Sequence, residues 1–166
     1  SRVVPLDRSA TNGLLALVRH STHTRISLTL PDDVDELSVL MADPEAIGTF
    51  LSTLNEYDGV VTSAMHVMIA CHSYGIPCAL VGFKGFESTV HGTGIKYDDY
   101  CLGAGLDGTY RPMIVNRDLR KERLRDRLSE ERVTDAKLDE IALALENALA
   151  LHTDARGKTD GLGFAG

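Results

Sequence analysis

Three short apolar runs punctuate the chain: LLALVRH at 14–20, GVVT at 59–62 and CALVGF at 78–83. Their apolar residues are continuous rather than alternating, which predicts strands buried on both faces, as in a parallel sheet. ISLTL at 26–30 alternates and stops at Pro31, which predicts a further strand with one buried face. Residues 32–42 fit a helical turn or a strand equally well, and Val3-Val4 suggests a short strand within a loose amino-terminal lead-in.

Between these runs the spacing turns helical. Asp43-Pro44-Glu45 carries a capping acid, a proline at the first helical position and an acid in the first turn. Ile47, Phe50, Leu51 and Leu54 then form one core-facing stripe, broken at Tyr57-Asp58-Gly59. Ser63 stands where it can cap a helix over 64–74 that is apolar nearly all round and therefore expected to be buried on more than one side. Gly75 stops that helix and Pro77 leads into the next strand, so 59–83 reads as a strand–helix–strand unit. Residues 82–94 are a glycine-rich loop, and 96–106 read as one short helix ended by Gly103 and Gly105. Two more helices are predicted over 117–130, through Leu119, Leu124 and Leu128, and over 135–152, through Leu138, Ile141, Leu145 and Leu149. The expected architecture is a single α/β domain over 1–152, three-layered and Rossmann-like, with a mostly parallel sheet and a flexible tail at 153–166.

Composition narrows the function classes. The 166 residues suit one domain with a sizeable core, and 43% apolar with 25% charged residues is ordinary for a globular protein. A net charge of −7 and a pI near 5.3 argue against nucleic-acid binding. The basic residues of 117–132 are interleaved with acids, as on a solvated surface. No run of about 18 apolar residues exists to span a membrane, and no basic-then-apolar start marks an export signal. Cys71, Cys78 and Cys101 are scattered, which fits reduced core thiols rather than disulfides or a zinc site, and a cytoplasmic location is expected.

In a parallel α/β sheet, ligands bind at the carboxyl ends of the strands. That rule selects Arg19-His20, Thr62-Ser63 and the loop after Val81. The start of the 64–74 helix offers free N–H groups and a positive dipole end to an anion, Ser63 adds a hydroxyl, and His66 in the first turn adds a donor or general acid. A core histidine bonded to a carbonyl is the competing reading of His66. Arg19 suits an anionic ligand or a surface ion pair. The glycine-rich loop brings Lys84, His91 and Thr93, with Lys96 just beyond it. His72 points away from His66 and is read as structural. His20 and His23 have no acid or cysteine nearby in sequence to complete a metal set, so no metal is expected. The Walker loop, the dinucleotide fingerprint and the serine-hydrolase elbow are all absent.

The segment YDGVVTSAMHVMIACHSYGIPCALVGF at 57–83, followed by GIKYDDYCLGAGL at 94–106, resembles the carboxyl-terminal part of the polysaccharide pyruvyl transferase family, most nearly its exopolysaccharide ketal-forming branch. The matching positions are Ser63 and His66, Gly75-Ile76-Pro77, Lys96, Asp99-Tyr100 and Gly105-Leu106, with LLALVRH similar to the strand that opens the family's second domain. The resemblance covers roughly 13–107. It departs at Ala64-Met65 and Val67, where the family usually has an Arg-Leu pair and a Gly.

The resemblance implies one Rossmann-like half of a fold like that of two-domain glycosyltransferases. It implies transfer of a pyruvyl group from phosphoenolpyruvate, as co-substrate, to a saccharide diol in exopolysaccharide or cell-envelope polysaccharide synthesis, at the inner membrane face. His66 would meet the donor or move a proton, Ser63 and Thr62 would help to cradle it, and Arg19, Lys84 and Lys96 would neutralise its charge. No further cofactor is implied. The other half would come from an amino-terminal domain or a partner. A nucleotide-sugar-binding domain of glycosyltransferase type is the alternative, and a non-catalytic domain with a vestigial site is a third.

Overall fold

The computed structural model describes residue 8 and residues 10–40, 43–88, 94–106 and 112–159, the last nine as backbone. The chain divides into two compact units, Ser1–Val133 and Thr134–Gly166.

The first unit is an α/β sheet domain. Strands β1 (Leu15–Val18), β2 (Val34–Leu37), β3 (Gly59–Thr62), β4 (Cys78–Phe83) and β5 (Met113–Val115) form one sheet in the order β2-β1-β3-β4-β5, parallel throughout. β1, β3 and β4 are buried at every residue, as their continuous apolar runs require. Their side chains alternate between two cores. Ala16, Val18, Val60, Cys78 and Leu80 face α1 (Pro44–Asn55), α2 (Met65–Tyr74) and α3 (Ile95–Ala104). Leu15, Leu17, Val61, Val81 and Phe83 face Ile26, Leu119 and Leu124 on the other side. The result is the Rossmann-like three-layer arrangement the sequence predicts.

α2 is the central helix of its layer, with Val67, Met68, Cys71, His72 and Tyr74 buried. It ends in a left-handed Gly75, φ 64°, whose N–H bonds back to the Cys71 carbonyl. His72 is wholly buried, stacked on Tyr100 with its Nδ1 3.0 Å from the tyrosine hydroxyl.

Two expectations are corrected. Residues 26–30 are no sheet strand. Thr29 makes an isolated bridge to Asp118, while Ile26, Leu28 and Leu30 pack into the second core. The alternation reported an extended segment with one buried face, which the sheet does not need to own. The second strand is VDEL at Val34–Leu37, within the stretch whose sequence fits a helical turn or a strand, an edge strand whose two exposed acids, Asp35 and Glu36, disguise it. The segment 117–130 is not one helix but two 3₁₀ turns, Leu119–Lys121 and Arg125–Arg127. Leu119 and Leu124 both enter the second core, and a continuous helix would set residues five apart about 140° from each other. β5 was not predicted.

The second unit is α4, Asp135–Thr159. It continues seven residues past 152, through part of the segment read as a tail, and Ile141, Leu145 and Leu149 along it are exposed. No helix among the described residues is long and apolar enough to cross a membrane. Val3-Val4, His91 and Thr93 lie outside the described residues.

Candidate functional site at the carboxyl ends of the strands

β1 lies between β2 and β3, so the chain leaves it for one side and returns on the other. The connection after β1 runs through Ile26, Leu28 and Leu30 over the second core, while the connection after β3 is α2, over the first. Loops that depart to opposite faces open a crevice at the carboxyl ends of the two strands, the topological switch point where such sheets hold ligands. Arg19 and His20 follow β1, and Thr62 ends β3 with Ser63 next, so four of the selected residues meet there.

Their side chains are bound into the protein. Thr62 and Ser63 are wholly buried. The Thr62 hydroxyl donates to the Val18 carbonyl at 2.8 Å and its oxygen accepts the Ala64 N–H at 3.0 Å. Ser63 Oγ accepts the His20 N–H at 2.9 Å and lies 2.8 Å from His23 Nδ1. Ser63 therefore does not cap α2. The cap position is Ala64, which makes no side-chain cap bond. Arg19, 8% exposed, donates from Nε to Glu36 at 2.6 Å and from Nη1 to the carbonyls of His23 at 2.8 Å and Ile26 at 2.6 Å, with Nη2 also on Glu36. These three residues fix the ends of β1, β2 and β3 relative to one another. To a ligand they offer a shaped turn rather than a direct contact.

The exposed groups are His66, Lys84 and Lys96. His66 stands in the first turn of α2, beside an N-terminus with no acid and no side-chain cap. Lys84 directly follows β4, the neighbour of β3, with its N–H on the Val115 carbonyl. Lys96 is in the first turn of α3, its ammonium 5.1 Å from the centre of the Tyr97 ring. The donor side of this edge is thus one helix start and cationic side chains, in a chain that is acidic overall. A cavity of about 370 Å³ opens at the same edge beside β2, lined by Arg19, Thr24, Glu36 and Leu37 to Leu40.

The rings of His20 and His23 lie 6.3 Å apart, and the Nδ1 of each has a hydroxyl partner, Thr22 for His20 and Ser63 for His23. Among the described residues no group of three or more His, Cys, Asp or Glu side chains is arranged to hold a metal ion. Two contributors were not selected from the sequence, Glu36 and His23 in its present role. Glu36 had a signal: an arginine that ends a buried strand needs an acid within reach, and the ambiguous 32–42 stretch supplies one. His23 had none beyond its nearness to His20.

Compared with models of protein families, with curated proteins and with solved structures, the chain matches none.

Proposed function

We propose that the Ser1–Val133 unit binds a small phosphorylated carboxylate at the start of α2 and serves a pyruvyl transferase-type reaction on a saccharide. The observation that carries this reading is an uncapped helix N-terminus, with an exposed histidine in its first turn, at the switch point of a parallel sheet. The ligand's charge would meet the N–H groups of the first turn and the His66 imidazole, with Lys84 after β4 and Lys96 in the first turn of α3 adding positive charge. The resemblance over residues 13–107 specifies phosphoenolpyruvate.

In the transfer, C2 of the enol phosphate gains two C–O bonds to a saccharide diol while its double bond to the methylene carbon becomes single and its bond to the phosphate oxygen breaks. The methylene carbon takes one proton and becomes methyl, and inorganic phosphate leaves with the other. His66, in the first turn of α2, would hold or deliver a proton at the phosphate end. Thr62, Ser63 and Arg19 hold the turn. The saccharide and a second half-site, from another domain or a partner, complete the reaction, which this reading places in the cytoplasm at the inner membrane face.

The test is a backbone NMR titration of the chain with phosphoenolpyruvate and, separately, a nucleotide sugar. Shifts centred on residues 64–67 with phosphoenolpyruvate, lost in His66→Ala, support the proposal. Shifts with the nucleotide sugar alone replace it with a glycosyltransferase-type donor site. Silence with both, repeated in the full-length gene product, leaves a vestigial site.

A further inference from the structure

We infer that His23 is a positioning residue for this site: its bare Nδ1 accepts a hydrogen bond from the Ser63 hydroxyl and thereby sets the turn from which α2 starts. The inference rests on the reading of the α2 start as the ligand site, but the bond itself is testable without any ligand.

The proton's direction follows from the partners of one oxygen. Ser63 Oγ already receives the His20 N–H at 2.9 Å, so that lone pair is occupied. A serine hydroxyl carries one proton, and a buried one needs an acceptor. The acceptor in hydrogen-bond range among the described residues is His23 Nδ1 at 2.8 Å. Ser63 therefore donates to His23, and the imidazole is the neutral tautomer with its proton on Nε2. The same assignment excludes Ser63 as an activated nucleophile, since its oxygen is wholly buried and both of its hydrogen bonds are internal.

His23 is also the point where the strand ends are tied together. Its N–H bonds to the His20 carbonyl at 2.8 Å, closing the turn after β1. Its carbonyl accepts from Arg19, which reaches Glu36 on β2. Its ring stands edge-on to Phe83 of β4, centroids 5.4 Å apart. Through Ser63 it reaches β3, one residue before the cap position of α2. The four strand ends thus meet on one buried residue, β3 and β4 through its imidazole and β1 and β2 through its backbone. Without its acceptor the Ser63 hydroxyl is left buried and unsatisfied, and the turn must move to find water or another partner.

Two substitutions separate this role from simple space filling. His23→Asn keeps an acceptor oxygen where Nδ1 stood, while His23→Leu keeps bulk and removes the acceptor. In the full chain, with inorganic phosphate and phosphoenolpyruvate as probes, His23→Leu is expected to weaken the binding read at residues 64–67 by about tenfold, and His23→Asn to stay within about threefold of wild type. Long-range proton–nitrogen correlation should show His23 protonated at Nε2 and bare at Nδ1, with Ser63→Ala shifting the Nδ1 signal. A proton on Nδ1, or wild-type binding in His23→Leu, overturns the inference. If wild type shows no ligand shifts at all, the anion reading fails. His23 is then judged by the tautomer and by the ligand-free amides of Ala64 to Val67, which should move in the leucine variant and not in the asparagine one. Should the leucine variant not fold, Ser63→Ala removes the same bond from its other side and is expected to give the same weakening.

Discussion

α1 and α2 each follow a strand of the same parallel sheet, yet they begin in opposite ways. α1 starts at Asp43, in extended backbone, with its carboxylate accepting the Ala46 N–H at 2.8 Å, a proline in the first turn and Glu45 beside it. The orphan donors and positive end of that helix are met by its own acids. α2 starts at Ala64, with no side-chain cap and no acid in its first turn. What α1 obtains from its own sequence, α2 leaves for something else to supply. The polar groups near the α2 start are turned to another task, since Thr62, Ser63 and Arg19 all stitch strand ends together. A self-sufficient helix start serves stability, and an open one held in a rigid frame serves binding.

The sharpest way to break this contrast is to loosen the frame. Arg19→Met removes a buried cation, orphans two carbonyls and leaves Glu36 unpaired, and is expected to cost about 3 kcal/mol in a urea unfolding curve. Loss of that size with the α2 start unmoved in the NMR spectrum would show that the frame and the site are independent. At the other end of α2, Gly75→Ala is expected to cost about 1–2 kcal/mol. A side chain at φ 64° is strained, and its Cβ would stand 3.2 Å from Cδ of Arg132.

The two helix starts can then be compared directly. Asp43→Ala should cost about 1 kcal/mol and leave phosphoenolpyruvate shifts at 64–67 intact. His66→Ala should do the reverse: the side chain is exposed, so stability should change by about 0.5 kcal/mol or less while the ligand shifts vanish. If both variants moved stability alone, α2 would be a helix start like any other.

Much of this was legible in the chain, and the illegible parts share a cause. β1, β3, β4, α1 and α2 follow from apolar runs, an Asp-Pro-Glu start and a terminal glycine, all local signals. β2 is an edge strand with two exposed acids, and the 117–130 segment takes its path from Leu119 and Leu124 reaching a core assembled from distant residues. Neither fact is local. The site divides the same way. The carboxyl-end rule placed Arg19, Thr62, Ser63 and His66 at one edge, but which of them turns inward depends on partners such as His23 and Glu36, far off in sequence from the groups they bind. His66 is exposed because the residues around it, Ala64, Val67 and Met68, are the ones the core takes.

The smallest expected effect concerns the opposite edge of the sheet and tests whether the two edges are separable. Asp58 precedes β3 at its amino end, where its carboxylate accepts the Thr11 hydroxyl at 2.5 Å and the Arg125 guanidinium at 2.7 Å. These contacts, the Thr11 bond first and Arg125 next, hold its pKa below the ordinary carboxylate value. A depressed folded-state pKa stabilises the fold at pH values above the unfolded one, about 3.9, and that contribution fades as pH falls through the folded value. Asp58→Asn should therefore be less stable than wild type at pH 6, with the difference narrowing by pH 3, as read from urea midpoints at the two values. The ligand shifts at 64–67 should be the same in both proteins at pH 6, because no bond of Asp58 reaches the carboxyl edge among the described residues. A changed ligand affinity in Asp58→Asn would mean that the sheet transmits strain from one edge to the other, and the α2 start would then be a site tuned by the whole domain rather than by the frame around His23.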